Sequence, residues 1–118
     1  MKIALPLDEN KKDVCVSFGR TPLFIVYDNE TQEKRIVEND GAQEVSGAGL
    51  KAAQVLLDND VDVLITIRCG ENAAKIFDTA QIKIYKAMNG SADQNIEAFE
   101  SNELDVLTSF HAGFHGGK

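Results

Sequence analysis

The sequence predicts a three-layer α/β domain, with a mixed five-stranded sheet and helices on its faces. Three observations carry this. Residues 61–67, Val-Asp-Val-Leu-Ile-Thr-Ile, form a β-branched apolar run too short for a helix, as a strand buried on both faces of a sheet reads. From there onward strand and helix patterns alternate, which demands parallel neighbours joined by right-handed crossovers. Earlier in the chain two short strands flank a polar turn, and such a hairpin forces one strand to run the other way.

The elements follow in order. Residues 2–7 are an apolar run that Pro6 and Asp8 bring to an end, as a first strand delivering a loop would. The polar loop from Asp8 to Arg20 carries Lys11, Lys12 and Cys15. Residues 23–28 and 34–38 are the hairpin strands, with Ile36 pointing opposite to Val37. Asn39-Asp40-Gly41 breaks the pattern, and Ser46 offers a cap for a helix running to Asp58, with Leu50, Ala53, Val55, Leu56 and Leu57 on its inner face. After the strand at 61–67, Ala73, Ile76, Phe77 and Ala80 keep a helical interval over 71–79. Residues 82–87 read as a strand, and Ser91 with Gln94 forms a capping-box pattern for a last helix ending near Ser101. Leu104, Val106 and Leu107 are an apolar patch able to cover the domain, which spans residues 1–108. Residues 109–118, with glycines and two histidines, are expected to be a flexible tail.

Composition narrows the partners. The 118 residues include 19 acidic and 12 basic ones, a net charge of −7 that repels nucleic-acid phosphates and anionic membranes. The two cysteines are widely separated in sequence, with no Cys-x-x-Cys pair, which suits free thiols in a reducing compartment. The opening segment lacks a signal-peptide pattern, so the expected location is the cytoplasm.

Several motifs bear on chemistry. Arg68, Cys69 and Gly70 fall between a buried strand and a helix, where open α/β sheets hold ligands. Unpaired N–H groups, the helix dipole and a neighbouring guanidinium there would favour a thiolate, making Cys69 a candidate soft-metal ligand or nucleophile. The alternative is a small buried hydrophobe at a tight turn. Gly47-Ala48-Gly49 lacks the third glycine of a dinucleotide fingerprint and follows no strand directly. It can instead bring backbone close to an anion or a cluster, or let helix and sheet pack tightly. A thiol phosphatase loop is excluded by spacing, since Arg20 follows Cys15 too soon and Lys75 stands where Cys69 would need an arginine. His111 and His115 could bind metal through imidazole nitrogen, or belong to a tail that touches nothing.

Four segments in this order resemble the dinitrogenase iron-molybdenum cofactor biosynthesis family. They are Met1-Lys2-Ile3-Ala4-Leu5-Pro6-Leu7-Asp8, Val16-Ser17-Phe18-Gly19-Arg20-Thr21-Pro22-Leu23-Phe24, Gly47-Ala48-Gly49-Leu50-Lys51-Ala52-Ala53 and Ile65-Thr66-Ile67-Arg68-Cys69-Gly70-Glu71-Asn72-Ala73. The resemblance implies a ribonuclease H-like fold and a non-enzymatic carrier of iron-sulfur or molybdenum-containing sulfide clusters. It also implies a cluster donor or acceptor protein as partner. By the same resemblance, Phe18, Gly19 and Arg20, Gly47 and Gly49, and Arg68, Cys69 and Gly70 rim the site. Cys69 and Glu71 depart from the commonest turn of that family; a cysteine there could strengthen cluster binding or change the metal, so molybdenum-cofactor specificity does not carry over directly. On this reading Cys69 is the first-choice ligand, Arg20 and Arg68 offset cluster charge, and His111 and His115 complete or cover the site. Two alternatives stand beside it: a metal-dependent nuclease or phosphotransferase starting from Asp8 and Asp62, and a metal-free interaction module whose helices serve a partner or a homodimer.

Overall fold

A computed structural model describes residues 1–110. Its elements are β1 (Lys2–Leu7), β2 (Leu23–Asp28), β3 (Glu33–Glu38), α1 (Ala48–Asp58), β4 (Val63–Thr66), α2 (Glu71–Thr79), β5 (Lys83–Lys86) and α3 (Ala92–Glu100). The sheet order is β3-β2-β1-β4-β5, with β1 antiparallel to β2 and parallel to β4. The expected mixed five-stranded sheet is therefore present. Its middle strand is β1, while β4 is an interior strand between β1 and β5.

Alternation along the strands divides the core in two. Ala4, Phe24, Val26, Leu64 and Ile84 point to the face covered by α1 and α2, where Ala52, Ala53, Leu56, Ala73 and Phe77 meet them. Ile3, Leu5, Ile25, Tyr27, Val63 and Ile65 point the other way, towards Ala92 and Ile96 of α3. The result is helix, sheet and helix in three layers. Small residues on the inner face of α1 let it approach α2 closely, and a Cβ placed on Gly49 would lie 3.8 Å from Ala73 Cβ. Leu50, expected on that inner face, is 45% exposed and turns to the rim of a cleft instead.

Residues 105–107 are tied to the sheet by backbone bonds. Leu104 joins the α3-side core and Leu107 the opposite one, whereas Val106 stays half-exposed. Leu107 N donates to Ile84 O and Lys86 N to Asp105 O, both at 2.8 Å, so this segment runs along β5. Phe110, inside the stretch expected to be a tail, packs partly against the α1–α2 core. His111 and His115 lie outside the described residues. Among the described residues, every buried side-chain nitrogen and oxygen has a hydrogen-bond partner, and no helix is long and apolar enough to cross a membrane.

Candidate functional site

Parallel β1 and β4 both deliver their following loops to the same end of the sheet, so the 8–22 and 67–70 segments meet there. A parallel bridge between Ser17 and Arg68 joins them. Phe18 anchors the first loop: it is 2% exposed, with its ring 5.5 Å from Phe24 and 5.4 Å from Phe77 between centroids. Thr21, fully buried, accepts from Leu7 N at 3.1 Å and donates to Leu7 O at 3.0 Å, holding the loop's return to β1.

A third segment closes over these two. Gly19 lies so near the start of α1 that a Cβ there would be 3.2 Å from Gly49 N and 3.3 Å from Gly49 Cα, backbone that cannot swing aside. Only glycine at 19 permits this approach without displacement. Asn39, buried beneath, donates through Nδ2 to Gly19 O at 3.1 Å and Thr21 O at 2.8 Å, and its Oδ1 accepts from Gly41 N at 3.1 Å. In the sequence Asn39 stands out only as a strand breaker. Its role rests on partners some twenty positions away, which no local pattern reveals.

Together these segments enclose a cleft of about 190 Å³ whose lining includes Phe18, Gly19, Arg20, Gly47, Gly49, Arg68, Cys69 and Gly70. The eight residues expected at the rim are thus brought to one place. Ser17, Ser46 and Asn72 line it as well, and sequence reasoning had not singled them out for the site. An asparagine in the first turn of a helix, two residues after its glycine cap, is the local signal for Asn72.

Two helices begin at this cleft, both from glycine. Gly47 caps α1 in the left-handed region at φ 76, and Gly70 caps α2 in an extended conformation; neither helix receives a side-chain cap. Ser46 does not serve as the cap expected of it, because the left-handed turn at Gly47 makes that glycine the boundary residue. First-turn N–H groups that have no partner within a helix carry partial positive charge, and here two such sets open at one cleft.

Charge on the rim comes from two arginines. Arg20 Nη1 donates to Ala42 O at 3.1 Å and also to Glu44 O, holding the 42–46 segment, and Arg68 is exposed. Among the described residues neither forms an ion pair with a carboxylate, and no carboxylate lines the cleft.

Cys69 corrects one expectation. It lines the cleft floor but is 1% exposed and packed within the α1–α2 core. Burial pushes its thiol up to about 12, so it is a neutral thiol and not a ready thiolate. Its Sγ donates to Gly70 O at 3.6 Å. Loss of solvation outweighs the helix start and Arg68, whose charge remains in solvent. Cys15 is half-buried and outside the cleft lining, and no cluster of three or more His, Cys, Asp or Glu able to hold a metal occurs among the described residues.

The nuclease alternative loses its two carboxylates here. Asp8 follows the carboxyl end of β1, whereas Asp62 precedes β4 and accepts from Lys2 N at 2.8 Å, at the opposite end of the parallel pair.

Comparison with known proteins agrees with this frame. The model of the dinitrogenase iron-molybdenum cofactor family matches residues 1–102. The chain belongs to that family. An uncharacterized protein of Methanocaldococcus jannaschii is 32% identical over 108 residues, covering 89% of this chain and 90% of the relative. In structure, this family member is similar to the apo form of the orange protein from Desulfovibrio gigas, with TM-score 0.85, 28% identity, and 92% and 93% of the two chains covered. It is also similar to a NifB-type protein from Thermotoga, with TM-score 0.79, 32% identity, and 92% and 95% covered.

Proposed function

We propose that this protein is a carrier of an anionic metal-sulfide cluster, bound in the cleft between the starts of α1 and α2 on a ribonuclease H-like scaffold. One observation carries the reading. In a chain of net charge −7, the cleft is lined by two arginines and no carboxylate, with two helices opening into it without side-chain caps. N–H groups at helix starts suit anions, and guanidinium groups add charge and directed donors. Family membership and the similarity to the orange protein and the NifB-type protein support the same reading.

The donor set selects among clusters. An iron-sulfur cluster ligated wholly by protein needs about four thiolates. The cleft lining has one cysteine, and its proton is firmly held. A preassembled molybdenum- or iron-sulfide anion, whose sulfides accept hydrogen bonds from backbone and guanidinium N–H groups, fits better. Cys69 becomes a ligand only where incoming metal displaces its proton. We extend the reading to His111 and His115 as imidazole donors to the same cargo, and to a cytoplasmic donor or acceptor protein that exchanges it. The role is delivery and not turnover.

The test is anoxic reconstitution of the full chain with iron, sulfide and molybdate, followed by desalting and elemental analysis. The wild type is expected to retain metal and sulfide together, and the Arg20→Ala/Arg68→Ala double variant to lose most of both. Equal retention by the two proteins, or none by the wild type, would refute the assignment.

A further inference from the structure

The two edges of the sheet are finished differently. Outside β5, Val106 bridges to Tyr85 and the 105–107 backbone takes up the strand's hydrogen bonds. Outside β3, no segment among the described residues does so. The inner register shows which groups are left over. Asn39 N donates to Pro22 O at 3.1 Å, continuing the β2–β3 ladder by one pair. Bonded pairs alternate along an antiparallel ladder, so Glu33, Arg35 and Val37 share the phase of Asn39 and turn their N–H and C=O groups towards β2. Those of Lys34, Ile36 and Glu38 turn outwards.

The same three residues share one face of the sheet. Ile36 stands opposite Ile25 and Lys34 opposite Tyr27, both of them on the side covered by α3. All three are exposed, and Ile36 is a large aliphatic side chain left 45% accessible between Lys34 and Glu38 on the same face of the strand. Charges on an edge strand ordinarily discourage pairing. Here they are arranged so that the strand complements its own reverse.

We propose that the outer edge of β3 pairs antiparallel with β3 of a second copy, about a two-fold axis through Ile36. In this register Ile36 meets its counterpart, and Lys34 of each copy, which also pairs with Asp93 of its own chain at 2.7 Å, meets Glu38 of the other. Every one of these opposed pairs has its N–H and C=O groups turned outwards, so each exchanges two hydrogen bonds. A shift by two residues sets Lys34 against Ile36, or Ile36 against Glu38, and leaves charges unmatched. A shift by one brings groups already bonded to β2 to the seam. The contact is isologous and closes on itself, so it ends at a dimer whose sheet runs through both copies. The cleft lies at the ends of β1 and β4, away from this edge, so the inference is independent of the cluster reading.

Sedimentation of the full chain over rising concentration, at moderate salt to screen the net charge of −7, is expected to show monomer–dimer exchange. In a Cys15→Ser background, Ile36→Cys is expected to link two copies by a disulfide under mild oxidation, because bonded antiparallel partners hold their Cα atoms about 5.5 Å apart. Lys34→Cys in that background is expected not to link, since it faces residue 38. Glu38→Lys should weaken the dimer roughly tenfold by turning two attractive contacts into repulsive ones, and adding Lys34→Glu should restore it. A protein that stays monomeric throughout, equal linking by the two cysteine variants, or an unaffected Glu38→Lys dimer would each overturn the proposal.

Discussion

The starts of α1 and α2 and the start of α3 solve one physical problem in opposite ways. Every helix begins with N–H groups that lack internal partners. At α3 the chain satisfies them itself: Ser91 Oγ accepts from Gln94 N at 3.1 Å, and Gln94 Oε1 accepts from Ser91 N at 3.0 Å. Asp93 adds a negative charge in that first turn and pairs with Lys34 at 2.7 Å. At α1 and α2 the caps are glycines with nothing to offer; α2 has Glu71 in its first turn, but the charged residues that line the cleft are Arg20 and Arg68. One end is closed by its own side chains, while the other two have none to close them, as the proposed cluster site requires. An uncapped start forgoes about 1 kcal/mol of helix stabilisation relative to a good side-chain cap at most. On the proposed reading that cost is small beside what two arginines and a set of amides would contribute to holding an anion.

This contrast can be broken or sharpened experimentally, and the largest effect is expected at high pH. Cys69 keeps its proton in the native state until about pH 12, whereas an unfolded thiol loses it near 9.0. Above the unfolded value the unfolded chain binds fewer protons, so stability falls as pH rises from there towards 12, by up to about 1.4 kcal/mol per pH unit. Denaturant titrations at several alkaline pH values should show this slope in the wild type and its absence in Cys69→Ala, whatever the absolute stabilities. Next comes Gly19→Val, which drives a side chain into the Gly49 backbone. A loss of about 1–3 kcal/mol by chemical denaturation, with impaired metal retention, is expected.

Making α2 resemble α3 is a subtler perturbation. Gly70→Asp supplies a cap and places a carboxylate at the cleft. Thermal unfolding should show a gain of only a few tenths of a kcal/mol, while retention of reconstituted metal and sulfide falls roughly tenfold. The converse change, Ser91→Ala, opens α3 and should cost about 1 kcal/mol with metal retention unchanged. If Ser91→Ala altered retention as much as Gly70→Asp, the division of labour between the two regions would be wrong.

Much of this was readable in the sequence wherever the signal was local. The bounds of β1, β2 and α2 follow from apolar runs and helical spacing, and the Ser91 capping box is present as the pattern states. That the expected rim residues share one cleft was legible too, because a turn between a buried strand and a helix has a fixed place in an α/β sheet. What failed depended on depth or on distance in sequence. Cys69 has the neighbours of an activated thiol, but how far it sinks between Phe18, Ala73 and Phe77 is decided by the whole layer. Leu50 fits the inner stripe of α1 by periodicity, yet the alanines and Gly49 do the packing and Leu50 faces outwards. Asn39 and Thr21 hold the loops through bonds that span 14 to 20 residues.

The anchoring of residues 42–46 has a practical corollary. Asn39 fixes where this stretch departs, and Gly47 fixes where it rejoins α1. Among the described residues, apart from the local turn bonds to Asn39 O and Gly41 O, the hydrogen bonds that reach 42–46 come from Arg20. Such a stretch is a natural place for a change of length or composition, because the scaffold on either side is held by bonds that do not pass through it.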